Sequence, residues 1–364
     1  MSSHTPYSER QKWSDVVPLP QMEPADGLVP IMYSEEYSDA MSYFRAIVTE
    51  NEKSARVLEL TEHIIRLNPA HYTVWQYRFS TLLNLESDLL AELSLMNEFA
   101  SQNLKSYQVW HHRLTLLTHL NPDLALLKKE IAFIHESLIP DAKNYHTWSY
   151  LHWVYTRFSS LGDEMGGNRF AEKDWEAERG WCDGMLDSEG VIGKEEGDEG
   201  EDVLVNGDGR NNSAWGWRWY LMVSREGVRG KTDVQAEIDY TLKQIEQIPH
   251  NASAWNYLRG LHTHFAIPFS QTFPQLETYT STTETRAKPV PFAIEWESDA
   301  LAQTGSEEEV KRAAGLLLDL ADKWDVMRRT YWRYRRNELL KQVRSSKASA
   351  NVEQAEKRTA TATA

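Results

Sequence analysis

Apolar residues recur at helical spacing through most of the chain. One stretch carries its apolar side chains on a single helical face, at Ile238, Leu242, Ile245 and Ile248. The pattern ends at Pro249, and a residue that precedes proline disfavours the α conformation. These features predict a helix that ends just before this proline, with similar endings near Pro69 and Pro140.

A second helical pattern begins at a tryptophan shortly after each of these endings. Trp110, Leu114 and Leu117, for example, form one apolar stripe. A pair of helices of this kind leaves an apolar face that it cannot bury alone, so successive pairs are expected to stack. The tryptophans are therefore predicted to form the interlocking core of that stack.

The tryptophans also define a repeat. Related stretches align on Trp75, Trp110, Trp148, Trp215 and Trp255. The intervals are 35, 38, 67 and 40 residues, so the long interval is expected to be one period with an insertion at about 160–209. Trp296 and Trp332 continue the spacing, although the residues around Trp296 match poorly. Tetratricopeptide repeats keep to about 34 residues and place small and aromatic residues differently, so that class is not favoured.

The repeat predicts an all-α fold, an α-α superhelix (solenoid) of repeated helical hairpins, across residues 31–344. Residues 1–30 are rich in proline and polar residues and are expected to be extended or disordered. Residues 345–364 form a low-complexity tail that is expected to be disordered. A threonine- and proline-rich stretch at 266–295 predicts a long irregular connection.

The net charge of −15 is distributed unevenly. Residues 187–202 contain eight acidic residues and one lysine, which is typical of a solvated, mobile loop. A nucleic-acid-binding surface needs clustered basic residues, and none is evident in the sequence, so no nucleic-acid partner is expected. No apolar run reaches membrane-spanning length, so no stable membrane insertion is expected either.

The single cysteine, Cys182, excludes an intramolecular disulfide and any multi-cysteine zinc site built by this chain alone. A reducing compartment, the cytoplasm, is therefore expected. The sequence has no H-E-x-x-H motif and no G-x-S-x-G turn. His111 and His112 are adjacent and diverge on a helix, so the chain is predicted to hold no metal.

The candidate binding and catalytic residues lie at the helix entrances, that is, in the turn before each second helix and at the first residues of that helix. Lys105 and Lys143 stand five residues before their tryptophans, where the positive end of a helix disfavours a cation unless an anion lies beside both. The side chains that would line this rim of the stack are Lys105, Tyr107, Gln108, Tyr145 and His146. Together with the helix dipoles they suit a phosphate or diphosphate. The alternative, in which the lysines are solvated and the tyrosines pack between repeats, is equally compatible with these residues.

The fourth and fifth entrances differ from the second and third. They read "NNS" at 211–213 and "NAS" at 251–253, which are ordinary small polar capping residues. The first three entrances carry large hydrogen-bonding side chains instead. Two of these three also carry a lysine, Lys105 and Lys143.

The chain closely resembles the α subunit shared by protein farnesyltransferase and protein geranylgeranyltransferase type I. The stretches that carry the resemblance are "YSDAMSYFRAIV", "NPAHYTVWQYR", "LKSYQVWHHR", "DAKNYHTW", "RNNSAW", "PHNASAWNYL" and "YWRYRRNEL". The resemblance covers about residues 30–340. It implies helical hairpins that wrap around a β subunit. It also implies an enzyme, active only as that heterodimer, which transfers an isoprenoid from its diphosphate to the cysteine of a C-terminal CaaX sequence.

The resemblance also implies roles for the entrance residues. Lys105 matches the lysine that contacts the diphosphate and stabilises charge on the leaving group. Gln108 matches the glutamine that binds the carboxylate at the substrate C-terminus. The other residues that match substrate-binding positions are Tyr72, beside the peptide, and Tyr107, Asn144, Tyr145 and His146, at or near the diphosphate.

The resemblance places the metals outside this chain. In such enzymes zinc is bound by the β subunit, and magnesium accompanies farnesyl diphosphate to an extent that depends on that subunit. The choice between farnesyl and geranylgeranyl follows the β subunit as well. The expected partners are therefore a β subunit, an isoprenoid diphosphate and CaaX-protein C-termini.

Two alternatives to this interpretation are the α subunit of Rab geranylgeranyltransferase and a non-catalytic helical-repeat scaffold. Gln108 favours the shared α subunit over the first alternative, because it suits a free peptide carboxylate. A scaffold explains the tryptophans but leaves Lys105 and Lys143 without a role. One departure from the family pattern is Leu151, which stands where an arginine would follow the tryptophan of the third repeat.

Overall fold

The computed structural model describes residues 5–22, 29, 31–158, 172–196, 202–223, 233–283 and 286–341. Helices make up most of these residues. They are α1 (Glu35–Glu50), α2 (Ala55–Leu67), α3 (Tyr72–Asn84), α4 (Leu89–Gln102), α5 (Tyr107–Leu120), α6 (Leu124–Leu138), α7 (Tyr145–Phe158), α8 (Glu172–Leu186), α9 (Asn212–Met222), α10 (Val234–Gln247), α11 (Ala252–His264), α12 (Phe269–Leu276), α13 (Pro291–Thr304), α14 (Glu307–Asp319) and α15 (329–341). Two strands, β1 (Val191–Glu196) and β2 (Asp202–Asn206), form a small sheet between α8 and α9.

The chain divides into two compact units. The first comprises the described residues up to Gly180 together with Val191–Val205, and the second comprises Trp181–Gly190 and the described residues from Asn206 onward. In the first unit α2–α3, α4–α5 and α6–α7 are antiparallel hairpins, and α3, α5 and α7 contact one another in succession. In the second unit α10 packs on α11, α9 contacts α11, and α12, α13 and α14 pack in sequence. The predicted all-α fold of repeated helical hairpins is confirmed.

The five aligned tryptophans have a second role besides filling the core. Each is buried, and each donates its indole N–H to the backbone carbonyl six residues earlier, at 2.8–3.0 Å. The bond ties the loop before a helix to the first turn of that helix. Trp296 bonds instead to the Phe269 carbonyl, and Trp332 bonds to the Asp325 carboxylate. The poor match around Trp296 thus reflects a different local geometry.

Buried ion pairs connect successive hairpins. The arginine three residues after the tryptophan forms two hydrogen bonds with a glutamate on the next helix, in the pairs Arg78–Glu92, Arg113–Glu130 and Arg218–Glu237. A side chain of the following hairpin bonds to the same glutamate: His112 to Glu92, Tyr150 to Glu130 and Tyr257 to Glu237. Breaking a buried pair leaves an uncompensated charge, so these contacts fix the register of the stack.

The third hairpin replaces this arginine with Leu151. Its glutamate is Glu178, which is also buried. The Tyr155 hydroxyl donates to Glu178 at 2.9 Å, and His135 lies at hydrogen-bond distance from it. Neighbouring side chains therefore take over the contact that the missing arginine would make.

The N-terminal residues are more ordered than their composition predicts. Tyr7 and Trp13 lie in two short 3-10 turns, and both side chains are buried against Tyr43 of α1. The Tyr7 hydroxyl lies 2.7 Å from Nδ1 of His63 on α2. The residues around Tyr7 and Trp13 thus form an N-terminal cap over α1 and α2, whereas residues 16–22 have no regular secondary structure and are mostly exposed. The tail at 345–364 lies outside the described residues.

Two predicted irregular regions contain regular structure. The insertion at 160–209 includes α8, because Trp175, Cys182 and Met185 recur at helical spacing and are buried. Within the acidic run the strands β1 and β2 pair, where a loop was expected, and residues 197–201 lie outside the described residues. The predicted irregular connection at 266–295 includes α12 and the start of α13.

Candidate functional site

Three helix entrances in the first unit present an exposed tyrosine. Tyr72, Tyr107 and Tyr145 are the first residues of α3, α5 and α7, and they are 72%, 66% and 68% exposed. Side chains at a helix N-terminus tilt back toward the loop that precedes the helix, so these rings lie over the entrances. The three rings are mostly exposed, and Tyr107 also contacts the following repeat through His146.

Lys105 lies in the turn between α4 and α5. Its side chain is 84% exposed, and its ammonium lies 3.6 Å from Oδ2 of Asp141 in the turn before α7. The two turns belong to successive repeats, so this contact spans the rim from one entrance to the next. Lys143, the other entrance lysine, is also exposed.

His146 joins the second and third entrances. Its ring meets Tyr107 edge to face, with ring centroids 4.2 Å apart, and it also contacts Tyr145. Partial burial lowers the pKa of His146 below 6.5. The imidazole is therefore neutral at pH 7 and can both donate and accept a hydrogen bond.

Asn144 holds the third entrance in shape. It is only 3% exposed, and its Oδ1 accepts from the backbone N–H groups of His146 and Thr147 at 2.9 and 3.1 Å. Its Nδ2 donates to the carbonyl of Leu104 at 3.2 Å. That carbonyl also accepts from Trp110, so Asn144 caps α7 and fixes it to the preceding entrance.

Gln108 lies between two surface grooves. The first, of about 560 Å³, runs along the loop before α5 and includes Lys105 and Tyr107. The second, of about 330 Å³, runs between α3 and α5 and includes Tyr72 and His111. The Gln108 side chain is half-buried, with Oε1 3.4 Å from the hydroxyl of Ser106. Gln108 lines both grooves, so the groove beside Tyr72 and the groove beside Lys105 form one continuous surface.

A buried polar group lies behind the second groove. His112 bonds to Glu92 at 3.0 Å, and Glu92 is also held by Arg78. Burial acts to raise the pKa of Glu92, but the hydrogen bonds from His112 and Arg78 outweigh it and lower this pKa to about 2. Burial lowers the pKa of His112, although Glu92 opposes that effect. The pair is therefore a neutral imidazole bonded to a carboxylate.

The site residues do not form a metal centre. Within the described ranges no group of three or more His, Cys, Asp and Glu side chains is arranged to hold a metal ion. His111 is exposed while its neighbour His112 is buried, so the two rings diverge as predicted. Among the same residues, no helix is both long and apolar enough to cross a membrane.

Sequence reasoning brought Lys105, Tyr107, Gln108, Tyr145 and His146 to one rim, and the geometry places them there. It missed Asp141, because its contact with Lys105 joins residues 36 positions apart in different repeats. It recognised capping residues at the fourth and fifth entrances but did not extend the cap to Asn144, at the same position four residues before the tryptophan. Asn144, Asn211 and Asn251 each accept from backbone N–H groups of their helix. The recurrence of asparagine at this position was the available signal.

Comparisons with known proteins agree on one family. The protein prenyltransferase alpha subunit repeat matches residues 54–85, 89–120, 127–158 and 234–265, which correspond to four of the hairpins. The protein farnesyltransferase/geranylgeranyltransferase type-1 subunit alpha of Arabidopsis thaliana is 35% identical over 258 residues, covering 71% of this chain and 68% of the relative. The protein of the same name from Pisum sativum is 38% identical over 258 residues, covering 70% and 67%.

Two further matches extend over nearly the whole chain. The subunit of the same name from Dictyostelium discoideum is 28% identical over 343 residues, covering 94% of this chain and 96% of the relative. The solved structure of Candida albicans protein geranylgeranyltransferase-I complexed with GGPP superposes with a TM-score of 0.73 at 26% identity, covering 90% of this chain and 98% of that one. The chain therefore belongs to the protein prenyltransferase alpha-subunit family.

Proposed function

We propose that this chain is the α subunit of a heterodimeric protein prenyltransferase. The enzyme transfers a farnesyl or geranylgeranyl group from its diphosphate to the cysteine of C-terminal CaaX sequences. One observation carries the proposal: in a chain of this family, an exposed lysine, a half-buried histidine and exposed tyrosines surround two adjacent helix N-termini. Such a surface offers a positive field and several hydrogen-bond donors to one anion.

Lys105 is assigned the main catalytic role in this chain. Transfer breaks the bond between C1 of the isoprenoid and a diphosphate oxygen, so negative charge grows on the leaving group. An ammonium placed beside that oxygen stabilises the transition state more than the ground state. Tyr107, Tyr145 and His146 add neutral donors around the same anion, and Asn144 keeps the entrance in shape for them.

Gln108 is assigned to a different anion, the carboxylate at the C-terminus of the substrate. The glutamine amide donates hydrogen bonds without adding charge, which suits a carboxylate that must be recognised but not bound tightly. Tyr72 borders the same groove and is assigned to the flank of the peptide. The two ends of the surface would thus bind the two substrates, with Gln108 between them.

The remaining parts of the active site are assigned to the β subunit. Zinc bound there supplies the thiolate form of the substrate cysteine, and magnesium accompanies the diphosphate to an extent set by the same subunit. We place the heterodimer in the cytoplasm, where Cys182 remains a buried thiol.

Co-expression with a CaaX-type β subunit tests the proposal. We expect the purified chain alone to transfer no isoprenoid and the co-purified heterodimer to modify a CaaX peptide. A β subunit of the Rab type is the matched control, and it should not yield a CaaX-active complex. Turnover by the isolated chain, or failure to bind any CaaX-type β subunit, would overturn the assignment.

A further inference from the structure

Asp141 is a second charged group at the rim, and its position is defined by two repeats. Oδ2 of Asp141 lies 3.6 Å from the Lys105 ammonium and 3.3 Å from Nδ2 of Asn144. The Asp141 backbone carbonyl accepts from the N–H of Asn144 at 2.9 Å. The carboxylate is therefore held by the turn of its own repeat, while it reaches the lysine of the preceding one.

The contact between Lys105 and Asp141 is weak and exchangeable. The lysine side chain is 84% exposed and that of the aspartate is 30% exposed, so water screens the pair. A diphosphate carries more charge than one carboxylate and offers several oxygens to the ammonium. It would therefore displace Asp141 from Lys105 on binding, and it would then lie close to an uncompensated carboxylate that repels it.

We propose that Asp141 is a positioning residue that holds Lys105 when no diphosphate is bound and weakens retention of the diphosphate that the reaction releases. The inference rests on the proposed function, since it assigns a second anion to the same lysine. Before binding, the carboxylate keeps the ammonium over the gap between the two entrances. After transfer, it competes with the free diphosphate for that ammonium, so the leaving group departs more readily.

A simpler explanation is that Asp141 only stabilises the turn before α7 through its contacts with Asn144. Asp141→Asn distinguishes this structural role from the proposed one. The amide keeps an oxygen that can accept a hydrogen bond from Asn144, but the substitution removes the negative charge. The readout is inhibition of the heterodimer by added inorganic diphosphate, which a purely structural role would not alter. We expect the inhibition constant to fall about 10-fold, as for removal of one nearby like charge.

Asp208→Asn is the matched control. Asp208 also stands seven residues before a tryptophan, and its carbonyl accepts from Asn211 in the same kind of turn at 2.8 Å. Its entrance lacks the tyrosine and histidine of the third repeat, so inhibition by diphosphate should be unchanged. Asp141→Ser, which also keeps an acceptor, replaces the amide variant if that variant does not assemble.

A double-mutant cycle with Lys105→Ala separates this inference from the proposed function. Asp141 acts both by competing for the Lys105 ammonium and by repelling the diphosphate directly, so Asp141→Asn should lower the inhibition constant about 10-fold with the lysine present and only about 3-fold without it. An assembled Asp141→Asn heterodimer with unchanged inhibition would overturn the inference alone. A Lys105→Ala heterodimer with an unchanged single-turnover rate would overturn the role of Lys105 and with it the basis of the inference.

Discussion

The third helix entrance and the fifth have the same framework but different surfaces. In each, a tryptophan bonds to the carbonyl six residues earlier, and an asparagine caps the helix and reaches a carbonyl of the preceding repeat. At the third entrance the next two residues are Tyr145 and His146, whereas at the fifth they are Ala252 and Ser253. The residues that fix the structure of an entrance, here called its framework, and the residues that could bind a ligand therefore occupy separate positions of the repeat.

The fifth entrance uses its polar atoms to hold the repeats together. Ser253 is buried and donates to Oδ1 of Asn212 in the preceding repeat at 3.1 Å. At the second and third entrances the corresponding side chains are exposed or half-buried, and those of the second line an open groove. Both kinds of entrance have the positive end of a helix. The exposed tyrosines and the half-buried histidine at the first helical positions distinguish the earlier entrances, since the fourth entrance also carries an exposed cation, Arg210.

The largest expected effect is a loss of stability on removal of a buried arginine, and it should be similar in both units. Arg113→Met and Arg218→Met each leave a buried glutamate without its cation, which costs about 3–5 kcal/mol of stability. Chemical denaturation of the heterodimer, followed by far-UV circular dichroism, measures the loss. A much smaller loss for one of the two would show that the units do not share this framework interaction.

The next effect should be confined to the earlier entrances. Lys105→Ala is expected to lower the single-turnover rate about 10²-fold without loss of heterodimer, as for removal of a group that stabilises leaving-group charge. Arg210→Ala is the matched control, because Arg210 stands at the same position before the fourth tryptophan. Equal rates for the two variants would contradict the division between framework and chemistry.

Removing a cap should affect stability at either kind of entrance. Asn144→Ala and Asn251→Ala each lose a helix cap and a bond to the preceding repeat, and about 1–2 kcal/mol is expected for each. Thermal unfolding of the two heterodimers measures this. Only Asn144→Ala should also reduce the transfer rate, since only that entrance positions His146. A lower transfer rate in Asn251→Ala would contradict the expected difference between the two entrances.

The smallest effect is expected at Gln108. Gln108→Ala should raise KM for a CaaX peptide about 10-fold with little change in the single-turnover rate, because the lost hydrogen bonds serve binding of the carboxylate. Ser213→Ala is the positional control in the fourth repeat, where no change in KM is expected. An unaltered KM for the glutamine variant would remove its assignment to the peptide.

Periodicity was sufficient to predict the hairpins and the buried tryptophans, because a 3.6-residue pattern and proline endings act locally. The indole–carbonyl bond was not predictable, since it depends on the backbone path of the loop between residues such as Pro69 and Trp75. Helix α8 was missed for another reason. Alignment on tryptophans marks only second helices, so the first helix of the fourth hairpin was assigned to the insertion.

The sequence named the candidate site residues, whose roles stay predictions, but it did not predict the contacts between them. The lysine, tyrosines and histidine stood out by their positions before the tryptophans. The contact between Lys105 and Asp141 depends on how one repeat stacks on the next, which no local pattern encodes. The exposure of Tyr72, Tyr107 and Tyr145 is likewise a property of the stacked hairpins.

The N-terminal cap covers the face of α1 and α2 on which a further hairpin could stack. A row of stacked hairpins is open at its first member, where another hairpin, its own or that of a second molecule, can join. Tyr7 and Trp13 occupy that position on α1 and α2, and Arg56 bonds to Asp15 beside them. A further hairpin, from this chain or from a second molecule, would therefore have to displace Tyr7 and Trp13 before it could stack on this face of α1 and α2.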